Sequence, residues 1–104
     1  MAQFDVYENP DKKTNKTVPY LLDIQADLLN SLATRVVAPL MTEKAIGRPM
    51  THINPEFHVN KTTVYMSTPE LAGIPVKSFG KFICSLKDKR TEIINALDFL
   101  FTGI

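Results

Sequence analysis

Residues 85–104 read SLKDKRTEIINALDFLFTGI, and this stretch decides the fold because the apolar period changes within it. Leu86, Arg90, Ile93, Leu97, Leu100 and Ile104 recur at spacings of three and four, and Ile94 and Phe101 widen the stripe. That pattern predicts an amphipathic helix over residues 86–101. Ser85 is placed to cap it, with Asp88 three positions on as the reciprocal partner. The last six residues, 99–104, are very apolar for the end of a chain, where frayed polar residues are the rule. Phe99 and Phe101 point about 200° apart on a helix, so the apolar surface exceeds one docking face. From the residues alone two readings stay open: a tail that meets a partner protein, and a tail that packs into the core.

Upstream of this helix the period is two. Residues 3–7 alternate, with Phe4 and Val6 on one side and Gln3, Asp5 and Tyr7 on the other, as in a half-buried strand. Residues 8–17 are polar, with Pro10, Asp11 and two asparagines, and read as a long mobile loop. Residues 19–26 (PYLLDIQA) return to strand character, with Leu22, Ile24 and Ala26 on one face. Residues 27–31 form a turn with Leu28 and Leu29 near its tip. A strand over 34–38 is expected to stop at Pro39, which cannot donate to a ladder. Thr42 is placed to cap one helical turn over 42–46. Two further strands are expected over 51–59 and 62–67, then a turn at 67–70, then a last strand over 74–79 closed by Gly80. Strands in succession followed by one helix, without βαβ alternation, specify a mainly β domain with an antiparallel sheet.

The chain has 104 residues, which fits one domain spanning 1–104. A chain of this size buries roughly 65% of its unfolded surface, enough for a core without staples. An apolar fraction of 44% and a charged fraction of 22% argue against global disorder. The net charge of +1 lacks the basic excess of a protein that grips duplex phosphates by itself. The single cysteine, Cys84, permits no internal disulfide and no thiolate metal site, so a reducing intracellular setting is expected. The first residues lack the basic and apolar regions of a signal peptide, and no stretch reaches the ~20 apolar residues that span a bilayer.

Catalytic chemistry is hard to find. The four glycines, at 47, 73, 80 and 103, are dispersed and build no phosphate loop. His52 and His58 fall six apart in an expected strand, hence on one face, but two histidines without a third ligand make a poor metal site. Cys84 has no histidine nearby in sequence and reads as a structural thiol. The charge run over 87–92 reads as a solvated first helical turn. Asp23, Gln25 and Asp27 share a strand face by parity. Paired carboxylates can do acid–base work, yet a polar outer face is the expectation here. No catalytic residue, metal or cofactor is assigned.

The chain resembles the CcdB family of plasmid and chromosomal toxins. Gln3-Phe4 and Val6-Tyr7 open it in the family's manner. The segment 23–29 (DIQADLL) resembles the family's DxQxD run followed by two aliphatics, and 35–40 (RVVAPL) its RxVxPL strand. Phe57-His58-Val59 stands where the family keeps a strand histidine, Ile74-Pro75-Val76 fits its xPV strand, and 95–104 (NALDFLFTGI) resembles its terminal helix with a Gly-Ile end. The resemblance implies an SH3-like barrel of antiparallel strands with a small accessory sheet and a C-terminal helix. It also implies a cytoplasmic bacterial homodimer without enzymatic activity, and a toxin that wedges into the DNA gyrase A subunit while DNA is cleaved. Carried over singly, the gyrase-binding residues are Leu28, Leu29, Asp98, Phe101, Thr102, Gly103 and Ile104, with Ile104 offering an apolar side chain and a carboxylate at the tip. One departure stands out: the best-known plasmid member of the family has tryptophan where this chain has Thr102, a position at which the family tolerates variation, and this chain has no tryptophan. A threonine cannot supply a stack on a partner arginine.

The resemblance further implies a small acidic CcdA-like antitoxin, together with which the toxin represses its own operon in the service of plasmid maintenance. DNA is then contacted only through the antitoxin. Lys12, Lys13 and Lys16 in the long loop, with Thr42 and Lys44 beside it, are the expected antitoxin-binding residues, since a basic loop complements an acidic disordered peptide. Two rivals share the architecture. One is an endoribonuclease toxin of the MazF and Kid type, in which Arg35 near Asp23 would imitate a catalytic pair. The other is a non-toxic protein-interaction barrel.

Overall fold

The structure, a computed structural model, describes residues 1–103; the gyrase-binding assignment of Ile104 lies outside the described residues. Seven strands follow one another: β1 (Asp5–Glu8), β2 (Tyr20–Asp23), β3 (Thr34–Thr42), β4 (Glu56–Val59), β5 (Thr62–Met66), β6 (Ala72–Pro75) and β7 (Phe82–Ser85). A one-turn helix α1 (Glu43–Ile46) follows β3, and helix α2 (Arg90–Thr102) ends the described chain. All pairings are antiparallel, in the order β4-β5-β3-β2-β1-β7, with β6 on β3. The sheet curls into a half-closed barrel with α2 packed against its inner side, so the expected mainly β barrel with a C-terminal helix is the architecture. β6 lies off the main path and pairs only with the first half of β3.

The core follows from register. Val6 pairs with Leu22 and Leu22 with Ala38, while Leu40 pairs with Met66 and Val64 with Phe57. Each is 1% exposed or less, so one pleat face of the curled sheet is apolar throughout. Ile93 (0% exposed) and Ala96 close this face from α2, and Leu86 and Phe4 fill its end. Truncating Ile93 to alanine removes roughly 2–5 kcal/mol by the usual cost of a core cavity.

Several expectations are corrected. β3 does not stop at Pro39 but runs on to Thr42. The reason is that its second neighbour changes there: β6 pairs residues 34–37 and β5 pairs residues 40–42. The Pro39 carbonyl accepts from Ser67 N at 2.9 Å, so its missing N–H faces the gap between the two neighbours and breaks no ladder bond. Residues 51–54 are a turn rather than strand, and His52 therefore shares no strand with His58. The strand expected over 74–79 ends at Pro75 in a 3-10 turn, Val76–Ser78. The true last strand, β7, was not foreseen; it pairs with β1 through a bulge between Val6 and Tyr7. Gly80 makes that junction possible, because a Cβ there would lie 2.6 Å from the Glu8 carbonyl oxygen.

Local signals succeed where the chemistry is local. Thr42 caps α1 by accepting from Ala45 N at 3.2 Å. The cap expected from Ser85 and Asp88 does not form: Ser85 accepts only from Lys87 N at 3.2 Å, the 3-10 turn Lys87–Lys89 begins after Leu86, and α2 starts at Arg90 after Lys89, neither with a side-chain cap bond. The β4–β5 hairpin closes on Asn60 and Lys61, with φ of 50° and 64°, the two left-handed residues of a type I′ turn. Among the described residues no helix is long and apolar enough to cross a membrane.

Candidate functional site

α2 is anchored early and released late. Its buried contacts come from Ile93 and Ala96, and beyond them exposure rises to 72% at Phe101. Asp98, Thr102 and Gly103 are exposed as well. The Thr102 hydroxyl donates to the Asp98 carbonyl at 2.7 Å, within its own helix. Gly103 ends the helix in the left-handed conformation, φ 74° and ψ 17°, and its N–H closes on the Phe99 carbonyl at 2.9 Å. A Cβ at Gly103 would meet nothing within 4 Å, so glycine is needed for the backbone turn itself. Phe99 is half-buried and stacks on His52, with ring centroids 5.4 Å apart, beside exposed Met50. The helix end thus presents an apolar, locally satisfied tip.

A second apolar surface is the turn after β2. Leu28 is 95% exposed, and Leu29 and Leu32 are about half exposed. Beneath them lies the segment read from sequence as a polar outer face, and here the expectation is overturned. Asp23 is fully buried, Gln25 is buried and Arg35 is buried beside them. Arg35 Nη2 lies 2.7 Å from Asp23 Oδ2, and its Nε donates to the same oxygen at 2.9 Å. Burial pushes the Asp23 carboxyl upward, against the pull of the Arg35 guanidinium and the Gln25 amide. Asp27 alone of the three stays exposed, accepting from Gln3 N at 2.8 Å. Parity had assigned the face by polarity, but an arginine on the neighbouring strand supplies the charge that lets the aspartate go inside.

The lysine loop has a defined course. The Asn9 side chain donates to Thr14 Oγ1 and to the Val18 carbonyl, and Asp11 accepts from Lys13 N. Thr42 N donates to the Thr17 carbonyl at 3.0 Å, which brings the loop of Lys12, Lys13 and Lys16 to the strand end that carries Thr42 and Lys44. The three loop lysines and Lys44 are exposed. A cavity of about 470 Å³ lies under the loop, floored by Val18, Leu21, Pro39 and Ile74.

The sites expected from sequence therefore form separate surfaces: the helix end (Asp98, Phe101, Thr102, Gly103), the leucine turn (Leu28, Leu29) and the lysine loop. No hydrogen bond joins the first two among the described residues. The reading from sequence missed Leu32, whose exposure has no signature in a single sequence, and it placed Arg35 near Asp23 without foreseeing that the two are buried together with Gln25. Burial, with the nearby charges of Asp5 and Asp88, pushes the Cys84 thiol up, away from the thiolate a nucleophile needs. His58 is exposed, 3.5 Å from Glu56.

Comparison with known proteins adds the following. A family model described as CcdB protein matches residues 3–103. Among solved structures, the chain is similar to an endoribonuclease in complex with its cognate antitoxin from a mycobacterial species. The TM-score is 0.76 at 14% identity, covering 97% of this chain and 94% of that one. It is also similar to an endoribonuclease from a mycobacterial species, with a TM-score of 0.72 at 14% identity, covering 97% and 90% of the two chains. At that identity the likeness is one of fold.

Proposed function

Since the chain belongs to the CcdB family of toxins from toxin–antitoxin pairs, we propose that it poisons DNA gyrase by binding the A subunit and holding the enzyme on cleaved DNA. The observation that carries this reading is the end of α2. Phe101, 72% exposed, stands beside a left-handed Gly103 at the end of the matched span, where core packing has already finished. An apolar tip released from its own fold is suited to enter a pocket of another protein. Leu28 and Leu29 supply a second apolar contact. The action is by binding, without a catalytic step, and gyrase places it in the bacterial cytoplasm.

The toxin is neutralised by an acidic antitoxin of the CcdA type, for which the exposed lysine loop and Lys44 form the complementary surface. Two copies of the chain form the active unit, a symmetric dimer suited to a two-fold symmetric target. The toxin–antitoxin complex represses the operon through the antitoxin's DNA-binding module.

The barrel's likeness to endoribonucleases favours a second reading, RNA cleavage. Its best candidate pair speaks against it: Asp23 and Arg35 are 0% and 1% exposed and bonded to each other, so neither can reach a phosphate. The test is expression with and without the neighbouring antitoxin gene, followed by gyrase-mediated linearisation of supercoiled DNA and cleavage of single-stranded RNA in parallel. Linear DNA that depends on gyrase supports the proposal, whereas RNA fragments without linear DNA would refute it.

A further inference from the structure

The buried polar cluster under the leucine turn has an unusual property: its hydrogen bonds close within residues 23–36. Gln25 Nε2 donates to the carbonyls of Leu29 at 3.1 Å and Thr34 at 3.2 Å. Its Oε1 accepts from Val36 N at 3.0 Å. Arg35 directs Nη1 to Asn30 Oδ1 at 2.8 Å and Nη2 to the Gln25 carbonyl at 3.2 Å, with the rest of its fork on Asp23. Asp23 Oδ1 in turn accepts from Gln25 N at 3.0 Å. If the cluster served only to join β2 to β3, apolar side chains of the same volume would do as well or better. What apolar residues could not do is satisfy the inward carbonyls of a non-repetitive turn.

The turn held in this way carries an apolar load. Leu28, Leu29 and Leu32 are 95%, 48% and 49% exposed. Its own backbone bonds are few and short-range: Leu29 N to the Ala26 carbonyl, Asn30 N to the Asp27 carbonyl and Leu32 N to the Leu29 carbonyl. Left to itself, such a turn would fold its leucines back against apolar surface. A side-chain fork and an amide anchored in the barrel wall oppose that collapse.

We propose that Arg35, Gln25 and Asn30 are positioning residues for the gyrase contact. They act through the turn to hold Leu28, Leu29 and Leu32 outward in their bound geometry, and Leu32 is a third contact residue of that surface. This rests on the gyrase reading above. Preorganisation of this kind reduces the ordering cost of association.

The experiment measures gyrase A subunit binding, global melting and amide exchange on Asn30→Ala, Asn30→Asp and Leu32→Ser. Asn30 is exposed, so its truncation leaves the core intact and removes only the outer acceptor of Arg35. Asn30→Ala is expected to weaken gyrase A binding roughly five- to tenfold, the net worth of one hydrogen bond at an exposed residue. It should also speed exchange at the Leu29 and Leu32 amides, while Leu22 and Leu40 exchange as before. Asn30→Asp keeps the acceptor and is expected to restore both. Leu32→Ser should weaken binding at least about tenfold, with exchange unchanged. Wild-type affinity and wild-type exchange in Asn30→Ala would overturn the proposal, as would a collapse of melting that shows the cluster to be a plain structural support. If the wild-type protein binds no gyrase A subunit, the functional reading fails by itself, and the exchange measurements still decide whether these residues position the turn.

Discussion

Deleting residues 102–104 separates the fold from the proposed function. The native helix end loses two identifiable bonds, the Thr102 hydroxyl on the Asp98 carbonyl and the Gly103 N–H on the Phe99 carbonyl. Both are solvent-exposed, so their net loss amounts to about 1–2 kcal/mol, or roughly 5–15 °C in melting temperature for a chain of this size. That is small against a typical domain stability of about 5–15 kcal/mol. The anchoring contacts, Ile93 at 0% and Ala96 at 2% exposure, lie at least about one and a half turns upstream and are untouched. Gyrase poisoning should behave differently. With Thr102, Gly103 and Ile104 gone, part of the surface proposed to meet gyrase is removed, and the concentration needed to linearise DNA should rise at least about 100-fold, as for loss of a hot spot. The assay is gyrase-mediated linearisation of supercoiled plasmid beside thermal melting of the same preparation. A truncated protein that still traps cleaved DNA at wild-type concentration refutes the assignment of the site. One that no longer folds refutes the argument that α2 docks without its tip.

Arg35→Met should destabilise the protein by roughly 3–5 kcal/mol in urea unfolding, because it leaves the fully buried Asp23 carboxylate unpaired; combining it with Asp23→Leu should recover most of that loss, and a single variant as stable as wild type would contradict the burial of the pair. Tyr7 should titrate near 12 by ultraviolet absorbance, since burial and then the Asp5 charge and hydrogen bond hold its proton. The unfolded chain releases that proton near its ordinary value of 10, so above it the native state binds more protons and stability should fall as pH rises from 10 towards 12; a flat profile there would refute the assignment. Reversing the charges of Lys12, Lys13 and Lys16 should weaken the antitoxin complex and change its salt dependence while leaving gyrase linearisation intact, and unchanged antitoxin affinity would dismiss the loop as a binding surface. Gly80→Ala should cost roughly 1–3 kcal/mol, because the new Cβ meets a backbone oxygen that cannot move aside cheaply, and melting at the wild-type temperature would show that the β1–β7 junction yields.

What could be read from sequence depended on how far each interaction reaches along the chain. The Thr42 cap and the stripe of α2 are set within a few residues, and the structure reproduces them; the alternation expected over 3–7 holds only in part, since Phe4 sits in a left-handed turn before β1 and Tyr7, expected on the outer side, is buried. The errors share a cause in pairing between distant segments. Asp23 was read as part of a polar outer face, whereas the bond to Arg35, twelve residues on, takes both inside. Pro39 looked like a strand end until the change of neighbour from β6 to β5 gave its bare nitrogen a gap to face. β7 is four residues long and begins two residues after Gly80 with the helix signal just beyond, so its pairing with β1 was invisible before the barrel curled. At the candidate site the residue types were legible, but their exposure was not. Leu28 and Leu22 are the same side chain six positions apart, and only the fold makes one 95% exposed and the other 0%.

The way each surface is held bears on the departure at position 102. The Thr102 side chain bonds only to the Asp98 carbonyl one turn back, and it is exposed. No core contact constrains what stands there, and the helix needs its side chain only weakly. The neighbouring Gly103, by contrast, is tied to its identity by a φ of 74°. The helix end thus combines a fixed backbone exit with a replaceable side chain beside it. In the proposed contact, threonine at 102 offers no aromatic stack to the partner and leaves the presentation of the tip unaltered. Phe101, 72% exposed and adjacent, is the aromatic side chain that the proposed gyrase contact would use in its place. If the helix end meets gyrase as proposed, variation at 102 should tune the strength of binding, while the φ of Gly103 and the hydrogen bonds of Asp23, Gln25 and Arg35 should fix the geometry in which the two apolar surfaces are offered.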